Sequence, residues 1–250
     1  MIVQILVVNP NTTASMTETI AAAARSVAGA WTDVVAVTSS MGPASIEGYY
    51  DEALAVPGLL MEIAAGERAG AQAAIIACFD DTGLDAARAM AAIPVIGICE
   101  AALSVASFIA QRFTVVTTTE RSRVPVEGLV QRYGMAGRAR VRAADIPVLS
   151  LEDPASGAVA KLRAEIARAI KEDRAEAIVL GCAGMADLAH RLQEEFDLPV
   201  IDGVGAALKQ AEALIALGLS TSKRGAYASP LAKSYRGVLK SFSPGTIAAE

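Results

Sequence analysis

The chain repeats itself. ILVVN at positions 5 to 9 returns as FTVVT at 113 to 117, an offset of 108; AIIACFD at 74 to 80 returns as AIVLGCA at 177 to 183, with Cys78 and Cys182 104 positions apart; Pro94-Val95-Ile96 returns as Pro199-Val200-Ile201 after 105. Three short apolar runs recurring in one order at nearly one spacing restrict the fold to two copies of a single unit. Each run is rich in β-branched residues and is followed by a longer segment of helical period. That is the pattern of strands that cross back through helices into a parallel sheet buried on both faces. The fold class is therefore α/β: two pseudo-symmetric units, each with a roughly four-stranded parallel sheet flanked by helices.

Eight strands are expected, over 2–8, 34–38, 74–78, 95–98, 113–117, 140–145, 177–181 and 200–202. Met16, Ile20, Ala23 and Val27 share one helical face behind Asn11 or Thr12 as caps, and Met185, Leu188, Leu192 and Phe196 do the same after the second cysteine. Another helix is expected near 84–91. Beyond Gly205 the chain reads as a helix carrying Ala207, Leu208, Ala211, Leu214 and Ile215, a turn at 218–222, and a second helix near 231–240. The tail is expected to return to the first unit. The domains would then be 1–98 plus 206–250, with 99–205 inserted, and the active site in the cleft between them.

Composition removes several classes of function. At 53% hydrophobic and 20% charged, the 250 residues bury a core without disulfide staples, and an odd count of three cysteines fits a reducing compartment. No stretch reaches the roughly 18 apolar residues needed to span a bilayer. Met1 runs straight into an apolar strand with no basic leader, so a cytoplasmic location is expected, with no membrane partner. A net charge of −5 and only 4% aromatic residues argue against nucleic acid, whose phosphates would be repelled and whose bases would lack stacking platforms. The expected partner is a small-molecule substrate, and the expected form a homo-oligomer.

The repeat places Cys78 and Cys182 at the C-terminal ends of equivalent strands, where open α/β sheets bind ligands. If the units pack about a pseudo-twofold axis, one thiol stands on each side of a shared cleft. A racemase must remove a proton from one face of a carbon acid and return one to the other, so two groups in opposite protonation states are its minimum. Cys182, in Gly181-Cys182-Ala183-Gly184 before a helical run, is expected to have its thiolate favoured by free N–H groups and the helix dipole. Cys78 precedes Asp80 and Asp81, whose charge pushes the other way. Cys99, a lone cysteine after a strand, reads as core packing. Zinc lacks ligands at suitable spacing: there is no CxxC, and the single histidine, His190, falls within a helix where a surface position is expected. No metal and no cofactor are expected.

VVNPNTT (7 to 13), SSMGPASIEGYYDE (39 to 52), ACFDDTGL (77 to 84), VVTTTERS (115 to 122), LGCAGM (180 to 185) and VIDGV (200 to 204) together resemble the hydantoin and allantoin racemases of the aspartate/glutamate racemase superfamily. The resemblance runs over nearly the whole chain. It implies a cofactor-independent two-cysteine racemase with Cys78 and Cys182 as the acid/base pair. Substrate contacts are implied at Pro10, Asn11, Phe79, Thr117, Thr118, Ala183 and Gly184. Amino-acid racemases of the superfamily carry Asn-Thr after the first cysteine and Thr-His after the second; Phe79-Asp80 and Ala183-Gly184 stand there in this chain, which implies a flatter, less charged substrate. Thr82 stands where the subfamily often has Pro, and Cys99 where it often has Gly.

Gly203-Val204-Gly205 is read as a tight strand-to-helix turn, because Leu208 occupies the place of the third glycine of a dinucleotide fingerprint. Of the adjacent acids Asp80 and Asp81, at most one is expected to face the cleft. GRARVR (137 to 142) reads as a solvated turn and strand edge. The leading function is racemisation of a 5-substituted hydantoin, allantoin included. The alternatives are an amino-acid racemase or arylmalonate-type decarboxylase on the same fold, and a two-lobed small-molecule binding protein.

Overall fold

The computed structural model describes residues 2–244; Met1 and residues 245–250, which the sequence reading assigns to the first unit, lie outside the described residues. Eight strands form two parallel four-stranded sheets. The first orders β1 (Val3–Asn9), β2 (Thr32–Thr38), β3 (Ala73–Ile76) and β4 (Val95–Gly97) as β2-β1-β3-β4. The second orders β5 (Phe113–Thr117), β6 (Ala139–Ala143), β7 (Ala177–Gly181) and β8 (Val200–Asp202) as β6-β5-β7-β8. The two orders are the same. Pairing also fixes the repeat: Val8 lies opposite Ile76 and Val116 opposite Leu180, so Ala73 corresponds to Ala177 and Cys78 to Cys182. The alignment of AIIACFD on AIVLGCA by their first letters is thus one residue out of step.

Alternation along the strands builds the core. Ile5, Val7, Ala73 and Ile75 of the first sheet, with Phe113, Val115, Ala177 and Val179 of the second, share one central cluster. Their neighbours point the other way, because successive strand side chains face opposite sides. Leu6, Val8, Ala74 and Ile76 pack under α2 (Tyr49–Arg68) and α3 (Leu84–Met90). Val116, Ile178 and Leu180 pack under α6 (Ala158–Arg168) and α7 (Ala189–Phe196). Between the sheets lie α4 (Ile98–Ile109) and α8 (Gly203–Ala216), packed on each other, with α1 (Ala14–Val27) beside α8. The units therefore share one apolar core. The sequence α4-β5-α5 (Glu120–Arg132) leads from the first sheet into the second.

Several expectations change. Ile98 starts α4 rather than ending β4, so Cys99 lies in the first turn of that helix, and the buried face of α1 is Met16, Thr17, Ile20, Ala21 and Ala24, leaving Val27 exposed. Thr13, not Asn11 or Thr12, precedes α1, and its side chain makes no capping bond. The run after Cys182 is a 3-10 turn, Ala183–Leu188, before α7 begins. No helix forms over 231–236; only a 3-10 turn, Gly237–Phe242, follows, and Leu231 and Val238 are exposed, so no apolar face is buried there. The preceding segment does reach the first sheet's helices, where Thr221 bonds the carbonyls of Ala92 and Ile93, and Lys223 those of Arg88 and Ala89. The basic run is less solvated than expected: Arg142 on edge strand β6 pairs with Glu165, Glu172 and Asp173, and Arg138 caps the last carbonyls of α4. His190 is exposed, as a surface helix requires.

Candidate functional site

In each sheet the chain turns outward in opposite directions from β1 and β3, or from β5 and β7, leaving a crevice at their C-terminal ends. Such switch points are where parallel sheets bind ligands. Asn11 follows β1, Cys78 follows β3, Thr117 ends β5 with Thr118 just after it, and Cys182 follows β7. All five line one cleft. Gly181 lets β5 and β7 close up at this point, since a Cβ there would stand 2.8 Å from Thr117 Cα. Loop 40–48 spans the cleft: Thr12 and Thr13 hydroxyls bond Pro43 and Ala44 carbonyls, and the Glu47 carboxylate accepts the Val148 N–H at 3.0 Å.

The two thiols have matching backbone settings. The Cys78 sulfur is bonded by the N–H of Asp80, and the Cys182 sulfur by the N–H of Gly184, each two residues further along. Beyond the backbone they differ. Asp80 adds a carboxyl that hydrogen-bonds both the Cys78 thiol and the Thr82 hydroxyl; Gly184 adds nothing. Burial pushes Cys78 well above the ordinary thiol range, and the Asp80 charge pushes it further. Burial also raises Cys182, to about 11, against the pull of the Gly184 N–H. The expected lowering of Cys182 by a helix end is therefore overridden: desolvation of a thiolate outweighs the pull of the helix end and of the Gly184 N–H.

The adjacent acids part company. Asp80 faces the cleft, whereas Asp81, at φ +49°, turns inward and accepts the N–H groups of Cys99 and Glu100 at 2.9 and 3.0 Å and the Tyr133 hydroxyl at 2.6 Å. Asp81 thus caps α4, satisfying two of its free N–H groups. Gly97 is required beside it, since a Cβ there would lie 2.3 Å from the Asp81 carboxyl carbon. Burial raises Asp81 to about 7. Cys99 is fully buried in the central core.

Of the residues expected to touch substrate, Asn11, Phe79, Thr117, Thr118 and Ala183 line the cleft; Pro10 and Gly184 do not, Gly184 reaching it only through its N–H to Cys182. Phe79 is also part of the central core. The Asn11 amide oxygen is taken by Asn9 and the Thr13 N–H, while its NH₂ meets only the Met16 sulfur, a weak acceptor, at 3.5 Å. Thr117 donates its hydroxyl to the Gly181 carbonyl at 3.2 Å and so has no proton left for an oxyanion; Thr118 has no side-chain partner among the described residues. Glu52, in the first turn of α2, also lines the cleft, and burial with the nearby Asp80 raises it to about 7. Sequence reasoning missed Glu52, although the quoted GYYDE segment ends on it. Met16, Ile46, Val126 and Val148 supply apolar walls. No Lys, Arg or His is among the described residues that line this cleft. No group of three or more His, Cys, Asp or Glu arranged to hold a metal ion occurs among the described residues either.

Comparison with known proteins places the chain among the racemases, enzymes of the isomerase class. It belongs to the Asp/Glu/Hydantoin racemase family, whose sequence pattern matches residues 5–211. It is 53% identical to the hydantoin racemase of Rhizobium meliloti, over 92% of this chain and 96% of that protein. It is 49% identical to the hydantoin racemase of Pseudomonas sp. strain NS671, over 96% of each. Among solved structures, the allantoin racemase of Klebsiella pneumoniae superposes with a TM-score of 0.94 at 48% identity, covering 97% of this chain and 99% of that one. No helix among the described residues is long and apolar enough to cross a membrane.

Proposed function

We propose that the enzyme racemises uncharged cyclic ureides, 5-substituted hydantoins including allantoin, by proton transfer between Cys78 and Cys182. The observation that carries this reading is the lining of the cleft: two thiols in matching settings, two carboxyl groups and not one cation among the described residues. A carboxylate-bearing substrate would find no counter-charge among the described lining residues, and a buried charge without one is costly. A hydantoin has no carboxylate, and its C5–H is a stronger carbon acid than an amino acid's α-C–H because no carboxylate opposes the carbanion. The names carried by the relatives agree with this chemistry.

In the forward direction one cysteine thiolate takes the C5 proton. The C–H bond breaks, an S–H bond forms, and the electron pair moves onto the adjacent carbonyl oxygen as an enolate. The opposite thiol then donates its proton to the other face of C5 and becomes the thiolate. The turnover ends with the protonation states exchanged and nothing else consumed, so neither metal nor cofactor is needed. The Asn11 NH₂ and the Thr118 hydroxyl are the free donors for the enolate oxygen. The reading carries with it the division of the chain into 1–98 with 206–250 and an inserted 99–205, supported by the bonds of Thr221 and Lys223 to the first unit. It also includes assembly as a homo-oligomer, supported by the exposed Phe108 and Leu217.

The direct test is optical: one enantiomer of a 5-alkylhydantoin, mixed with the enzyme and an excess of chelator, is expected to lose its rotation to zero. Persistent rotation would remove the reading.

The asymmetry at Asp80 and Gly184 has its own consequence. Cys78 has a side chain that holds its proton, and Cys182 does not, so Cys182 is the more readily ionised of the two. Iodoacetamide is expected to label Cys182 before Cys78. Since only the thiolate reacts, its rate should climb about tenfold per pH unit from 7 to 10. A bound substrate analogue should protect. Mass spectrometry of the labelled peptides decides; Cys78 labelled first would reverse the assignment, and a plateau below pH 9 would show that burial does not raise Cys182.

A further inference from the structure

Among the described residues that line the cleft, Glu52 is the acid whose carboxyl the fold does not use. Asp80 is bonded to Cys78 and Thr82, Asp81 to the start of α4 and Tyr133, Asp51 to the N–H of Glu47, and Glu47 to the N–H of Val148. Among the described residues the Glu52 carboxyl has neither a hydrogen-bond nor an ion-pair partner, and it stands in the same cleft as both thiols. Its place is fixed from behind: the Glu52 N–H bonds the Gly48 carbonyl at 3.0 Å, closing the first turn of α2.

We propose that Glu52 is a specificity-determining residue that accepts hydrogen bonds from the N–H groups of the substrate's ureide ring. The ionised form of Glu52 can only accept and its neutral form still accepts at the carbonyl oxygen, so a half-buried carboxyl without a protein donor calls for a ligand that brings donors. A cyclic ureide presents N–H groups beside each of its carbonyls. In the cleft these divide the protein's groups by kind: the carbonyl oxygens go to Asn11 and Thr118, which donate, and the N–H groups to Glu52, which accepts. An α-ammonium group would also satisfy Glu52, but it comes with an α-carboxylate for which the described lining holds no cation. A site built around a buried acceptor rejects analogues that lack the matching donor far more strongly than an apolar pocket rejects a lost methylene.

This inference rests on the hydantoin reading, and the experiment separates the two. Steady-state racemisation is measured for a 5-alkylhydantoin and its N1-methyl and N3-methyl derivatives, with wild type, Glu52→Ala and Glu52→Gln. In wild type, at least one methyl derivative should show a KM raised tenfold or more. Glu52→Ala should raise KM for the parent about tenfold or more with kcat within about threefold, and should lose the discrimination against that methyl derivative; Glu52→Gln, which keeps one acceptor oxygen, should fall between. An unchanged KM in Glu52→Ala, a fall in kcat at constant KM, or methyl discrimination that persists in the variant each overturns the role of Glu52 while leaving the hydantoin reading intact. Equal KM for the parent and both methyl derivatives in wild type overturns it without any variant. A wild type inactive on all three compounds overturns both readings together.

Discussion

Replacing either Cys78 or Cys182 by serine is expected to cut racemisation of a 5-alkylhydantoin by at least ~1,000-fold, or about 4 kcal/mol of transition-state stabilisation. An alcohol is far too weak an acid to share protons with a thiol across the cleft. The two variants should fail differently. In Cys78→Ser, Cys182 can still remove the proton that faces it and, after exchange with solvent, return a deuteron to the same face. One enantiomer then gains deuterium in D₂O with its rotation intact, and the other stays unlabelled. In Cys182→Ser the enantiomers change places. Proton NMR at C5, combined with polarimetry, reads both results at once. Racemisation at near wild-type rate in either variant, or labelling of the same enantiomer by both, would end the two-base scheme. Cys99→Ala is the control: it lies in the core rather than the cleft, so activity should persist with a stability loss of about 1–2 kcal/mol.

Much of this arrangement is legible in the sequence because strand period and repetition are local signals. Runs such as ILVVN and FTVVT alternate toward one shared core and one outer helical layer, and the same cluster of residues states both facts. Equivalent cysteines follow from the repeat alone. Features that depend on competition between forces are less legible. A 3-10 turn after Cys182 looks like a helix start by residue type, and only burial decides that its sulfur is raised rather than lowered. The hydroxyl of Thr117 looks available until the Gly181 carbonyl is placed 3.2 Å away. Glu52 reaches the cleft from α2, 26 positions before Cys78, so no spacing rule joins them; only tertiary packing does. The tail at 231–236 carries helix-forming residues but nothing to pack against, and isolated short helices are marginal in water.

Charge in the cleft sets the second large expectation. Free aspartate or glutamate brings an α-carboxylate and a second carboxylate into a space that already holds Glu52 and Asp80 and that no Lys, Arg or His among the described residues lines. Burial already presses these two protein carboxyls toward their neutral forms, raising Asp80 above its usual range and, with the nearby Asp80 charge added, Glu52 to about 7. Another anion would have to be desolvated and placed beside them without a counter-charge. A neutral ring pays no such penalty and offers donors and acceptors in the same area. The ratio of kcat/KM for a 5-alkylhydantoin over free aspartate or glutamate is therefore expected to exceed ~100, about 2.7 kcal/mol in transition-state binding. The gap should not close with salt, because screening acts weakly on a partly buried cluster. Coupled polarimetric assays of the three compounds at low and at high ionic strength give the ratio directly. Equal or better turnover of a free amino acid would move the enzyme to the amino-acid branch of its family, while the exchange pattern of the two cysteine variants would still stand as a separate test of how the proton crosses the cleft.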